Sequence, residues 1–102
     1  MAKRKIVWTE TAVKQRREIL RYWTERNNNV FYALKLIEIT AQHLKVISKN
    51  PKAFQETEID GIHKSSMGYF SLYYKITLDQ IIVVAFWDNR QDPKKFYKVI
   101  SS

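Results

Sequence analysis

The sequence predicts an α+β fold in the order β-α-α-β-β-β, with an antiparallel helical hairpin packed on one face of a small, mainly antiparallel sheet. Three observations carry this. Two long segments in the first half place apolar residues at helical spacing. The second half changes to the two-residue period of strands. Asn, Gly and Pro fall at the joins.

"KIVW", residues 5–8, reads as a short N-terminal strand. Thr9 suits a helix N-cap, and Glu10 in the first turn complements the positive end of the helix dipole. The first helix is expected from Thr11 to Arg26. Val13, Leu20 and Trp23, with Ile19 alongside, form its apolar stripe. Lys14, Arg16, Arg17, Arg21 and Arg26 fall on the outer face. "NNN", 27–29, reads as a tight turn. The second helix is expected from Val30 to Ser48, with Ala33, Leu36, Ile37, Thr40, Leu44 and Ile47 in one stripe. Asn50-Pro51 ends it, because a residue before proline avoids the helical region. So short a turn makes the two helices antiparallel neighbours.

A polar connection, 52–60, leads to "GIHKSS", 61–66, a short strand. In "YFSLYYKIT", 69–77, Phe70, Leu72, Tyr74 and Ile76 face one way. Tyr69, Ser71, Tyr73 and Lys75 face the other, and Gly68 marks a reversal. "LDQ" turns the chain into "IIVVAFW", 81–87, apolar enough for a central strand. The hairpin should cover one face and leave the Ser71, Tyr73 and Lys75 face partly open. Arg90 then stands at the mouth of the sheet, where a rigid strand can aim it.

The 102 residues make one domain, 1–102, with 45% hydrophobic content for a core. The chain has no cysteine, which excludes disulfides and thiolate metal sites and suits a reducing cytoplasm. "MAKRKIVW" lacks the apolar segment of a secretory signal, and no apolar run approaches a membrane span of roughly 20 residues. Eighteen Lys and Arg against ten Asp and Glu give a formal charge of +8. Such a surface attracts nucleic acid or an acidic protein.

No glycine-rich phosphate loop is possible with two glycines, and His43 and His63 match no zinc spacing. No metal or other cofactor is expected. His43 reads as a helix-surface residue. The remaining chemistry is cationic. His63 or Lys64 can act as a base toward a ribose hydroxyl, Arg90 can stabilise phosphorane charge and Tyr97 can act as acid. Arg17, Arg21, Tyr73, Lys75, Arg90, Lys94, Lys95 and Lys98 form a candidate binding set for phosphates or unstacked bases. Arg90 can equally pair with Asp88 or Asp92 in a turn. A plain RNA-binding module also fits, although double-stranded-RNA domains place one helix before their strands and one after.

The element order, "WTETA" opening the first helix, and "GYFSLYYKI" followed by "QIIVVAFWDNRQDP" resemble the RelE/ParE superfamily of toxins from type II toxin–antitoxin, or plasmid-stabilisation, systems. The resemblance covers nearly the whole chain. It implies a growth-inhibiting toxin neutralised by a cognate antitoxin whose C-terminal segment wraps it. RelE-like members cleave mRNA on the ribosome without a metal; ParE-like members poison DNA gyrase. The nuclease set transfers in part. The basic position of the strand before residue 69 falls on His63 or Lys64. The arginine after the last long strand matches Arg90, and a later tyrosine matches Tyr97. The arginine usual at the start of the strand matching 69–76 is replaced by Phe70 or Ser71. That departure points to a ParE-like toxin, with helix one and the C-terminal tail as contact surfaces.

Overall fold

The computed structural model describes residues 4–91, 94–96 and 98. Its elements are β1 (Lys5–Trp8), α1 (Glu10–Asn27), α2 (Phe31–Lys49), β2 (His63–Met67), β3 (Phe70–Ile76) and β4 (Gln80–Asp88). The sheet order is β1-β4-β3-β2. β4 is parallel to β1 and antiparallel to β3, and β3 is antiparallel to β2. The helical hairpin carries the chain across one sheet face, from β1 at one edge to β2 at the other, and β4 returns to pair between β1 and β3.

Local chemistry sets the helix ends. Thr9 has extended backbone, and its hydroxyl accepts from the Ala12 amide at 3.1 Å. Thr9→Ala is expected to cost about 1 kcal/mol by leaving that amide without its cap; equilibrium urea denaturation measures the loss. Asn28 closes α1 in the left-handed region at φ 54°, which asparagine tolerates. The Asn29 side chain then accepts from the Phe31 amide at 3.1 Å and starts α2. Asn50, before Pro51, leaves the helix at φ −141°.

The core lies between the hairpin and one sheet face. Leu36 and Ile47 of α2 and Ala12 of α1 meet Met67, Phe70, Leu72, Tyr74, Ile81, Val83 and Phe86. Ala12, rather than the partly exposed Val13, is the fully buried residue of the first turns of α1. Its small side chain lets the helix lie close to β4. Ile37 leaves its expected stripe and is exposed, with Val30, Phe31 and Leu34. The rest of the expected stripe faces inward: Ala33, Leu36, Thr40 and Ile47 are buried and Leu44 packs against the core.

One irregularity decides which residues face the helices. The β3–β4 register shifts between Tyr73, opposite Ala85, and Tyr74, opposite Val83, leaving Val84 as an extra residue. Directly opposed residues share a face. Phe86 and Asp88 therefore face the helices with their partners Leu72 and Phe70, while Ala85 and Trp87 face away with Tyr73 and Ser71.

The outer face is more closed than the sequence suggests. Ser71 is fully buried and Tyr73 is 7% exposed. Ile62, Tyr73, Ala85, Trp87 and Phe96 form a second apolar cluster there. The tail residues Lys94–Phe96 are helical, and Phe96 supplies the cover. Lys75 stays exposed.

Candidate functional site: an arginine held among aromatic rings

Arg90 follows β4 and folds back on Asp88. The Asp88 Oδ1 accepts from the Arg90 amide at 2.9 Å and from Nε at 3.0 Å. Oδ2 accepts from Nη2 at 2.7 Å. These hydrogen bonds hold the Asp88 carboxyl below the usual carboxylate range. In Arg90→Gln, the Asp88 pKa is expected to rise toward its ordinary value, read by carboxyl-carbon NMR titration. By sign, Asp88 contributes stability above its unfolded pKa. That contribution is lost as pH falls through the lower folded value, so the variant should show a weaker acid dependence.

The guanidinium sits 5.1 Å from the centroid of Trp23 and 5.5 Å from that of Tyr69. Trp23 in turn packs against Tyr22 at 5.2 Å and Tyr32 at 5.1 Å. A second guanidinium, Arg26, lies 5.7 Å from the same Trp23 ring and donates to the Tyr22 hydroxyl at 3.4 Å. Burial raises the Tyr32 hydroxyl pKa, and the neighbouring Arg90 charge offsets part of that effect. The cluster forms because Trp23 and Tyr32 flank the turn of the hairpin while Tyr69, in the β2–β3 turn, reaches the same end.

Beside it is a cavity of about 710 Å³ between α1 and the end of β4. Ile19, Tyr22, Trp23 and Phe86 give it apolar walls; Glu18, Asp88, Arg90 and Lys95 supply charge. Gln15 also lines it and accepts from the Phe86 amide at 2.9 Å.

The other candidates lie elsewhere. Lys64 is on the outer face, its Nζ 5.9 Å from the Tyr73 centroid. Tyr73 is covered by Phe96 at 4.0 Å, so its ring is not open for base stacking. Glu56 and Glu58 join Lys64, Trp87 and Phe96 around an outer groove of about 610 Å³. His63 points to the helix side, stacked on Tyr74 at 5.4 Å, with Nδ1 buried and without a partner among the described residues. Its partner on β3, Tyr74, is four residues from Phe70, the partner of Asp88, a separation of roughly 13 Å. Arg90, Lys64 and His63 therefore do not converge. The bulge puts Asp88, and Arg90 with it, on the face opposite Lys64, so the base and the charge stabiliser expected to act on one phosphate stand apart. Arg17 and Arg21 are exposed on α1, and Lys94, Lys95 and Lys98 are exposed on the tail. The structure brings only Lys95 of these to the Arg90 cavity. Tyr97 and Asp92 lie outside the described residues.

Sequence reasoning placed Trp23 in the core and assigned Tyr22 and Tyr32 no role. Their signal was aromatic residues on two helices either side of a tight turn, near enough to meet. His43, read as surface, is half-buried. Its Nδ1 is 2.7 Å from Ser65 Oγ, its ring stacks on Phe54 at 5.9 Å, and burial lowers its pKa.

The fold and this end of the sheet define a small toxin of the RelE/ParE superfamily. The family model described as ParE toxin of type II toxin–antitoxin system, parDE, matches residues 6–93, and the chain belongs to that family. It is similar to a chain of the chromosomal ParDE toxin–antitoxin system from P. aeruginosa, with a TM-score of 0.71 and 17% identity. The match covers 84% of this chain and 96% of that one. At that identity the likeness speaks for the fold. No curated protein matches the chain. Among the described residues, no helix is long and apolar enough to cross a membrane.

Proposed function

We propose that this type II toxin acts in the cytoplasm by binding a host protein such as DNA gyrase. Growth stops when it is free, and a cognate antitoxin neutralises it. The observation that carries this reading is the separation of Arg90 from Lys64. Metal-free RNA cleavage needs a base and a charge stabiliser on one phosphate. Here the two cations are on opposite faces, and Arg90 is already held by Asp88. Glu56 and Glu58 beside Lys64 would repel a phosphate. The exposed Tyr22, Tyr69 and Arg90 are instead of the residue types that dominate protein–protein hot spots.

The test is induction in bacteria with mRNA-end mapping, alongside supercoiling by purified gyrase. Inhibited supercoiling with intact messages is the expected result. New codon-phased mRNA ends, lost in Lys64→Ala, would replace it with the ribosome-dependent endoribonuclease reading.

A further inference from the structure

We propose that the cavity between α1 and the end of β4 is a receptor for an aliphatic side chain next to a carboxylate on a partner protein. It rests on the protein-docking reading only for the partner's biological identity; the chemistry stands on the geometry.

Arg90 is prepared for this. Asp88 occupies Nε and one Nη2 donor, fixing the plane of the guanidinium. Three of the five N–H donors remain, and the side chain is 48% exposed. An arginine already oriented loses less freedom on binding, and the planar fork suits a carboxylate better than a lysine does. Arg26, on the same Trp23 ring, has no carboxylate partner among the described residues. In the lining Arg90 and Lys95 balance Asp88 and Glu18; Arg26, on the Trp23 ring beside it, is the unmatched cation that an incoming carboxylate would meet. Trp23, which lines the cavity, keeps its Nε1–H buried and without a hydrogen-bond partner among the described residues. The Ile19, Trp23 and Phe86 walls supply the apolar slot.

Charge chooses the occupant. A second copy of this chain, at +8, would be repelled. An acidic protein segment brings a carboxylate for Arg26 and for the Arg90 donors that Asp88 leaves open, and the aliphatic neighbour that the slot accepts.

The experiment uses the whole chain, ¹⁵N-labelled, titrated with N-acetyl-leucine and, separately, with the neutral N-acetyl-leucinamide. The expected result is a saturable shift of the Trp23 indole and Arg90 Nε signals with the acid, at least tenfold weaker with the amide. Arg90→Gln should weaken acid binding by a similar factor, and Lys64→Ala should leave it unchanged. The spectrum of each variant shows directly whether it is folded. Equal response to acid and amide, shifts centred on Lys64 and Tyr73, or no shift at either residue would overturn the proposal. A chain that passes this test but neither stops growth nor inhibits gyrase would lose the proposed function and keep the receptor.

Discussion

Phe86→Ala is expected to lower folding stability by about 3–5 kcal/mol, the range for emptying a buried aromatic site. Phe86 is 1% exposed, on the central strand, between Trp8 at 6.4 Å and Phe70 at 6.0 Å. It touches neighbours from β1 and β3 at once, so no single side chain can collapse into the space. Domains of this size have roughly 5–15 kcal/mol in total, so the loss would consume much of the reserve. With a urea slope of about 1–3 kcal/mol per molar, the midpoint should fall by about 1 M or more. A loss under about 1 kcal/mol would mean that the ring does not close the core, and that the bulge has not turned it toward the helices.

Raising the pH should reverse the ranking of the native chain and Tyr74→Phe. Tyr74 is fully buried; its hydroxyl donates to the Pro51 carbonyl at 2.8 Å, and burial pushes its pKa up to about 12. An unfolded tyrosine loses its proton near 10. Between those values the unfolded chain holds fewer protons than the folded one, so stability falls as pH rises. The contribution is fully present below about pH 10, and by pH 12 and above the loss approaches about 2–3 kcal/mol. Near neutrality, Tyr74→Phe should be the weaker protein by about 1 kcal/mol, since it gives up one hydrogen bond and leaves the Pro51 carbonyl unpaired. Because phenylalanine cannot ionise, its stability should decline less in alkali. Urea midpoints of both chains from pH 8 to 12 should therefore cross. Parallel curves would show that Tyr74 ionises as freely in the folded protein as in the unfolded one.

Much of the fold could be read from local chemistry. Thr9, the three asparagines and Asn50-Pro51 act on their immediate neighbours, so they punctuate the hairpin where the sequence places them. The alternation of Phe70, Leu72 and Tyr74 marks the inner face of β3 because a strand has a two-residue period. The family likeness could be read for the same reason, since it rests on element order and on those strands.

The candidate site could be read only in part. Arg90 stood out as a cation ending an apolar strand, and its pairing with Asp88 lies within reach of a turn. Its company of Trp23, Tyr22, Tyr32 and Tyr69 comes from three places in the chain, and nothing local announces it. Phe96 over Tyr73 is equally non-local. The open outer surface expected from alternation is therefore partly sealed.

The sequence by itself determined the elements, their ends, the basic surface and the residues that one face of β3 buries. The tertiary structure alone decided that Val84 is the extra residue in β4, because a bulge exists only relative to a partner strand. A straight β4 would place Trp87 with Ile81 and Val83, and Asp88 on the face of Lys64. One unpaired residue reverses both, and that pairing between distant segments separates the two cations that local reading had joined.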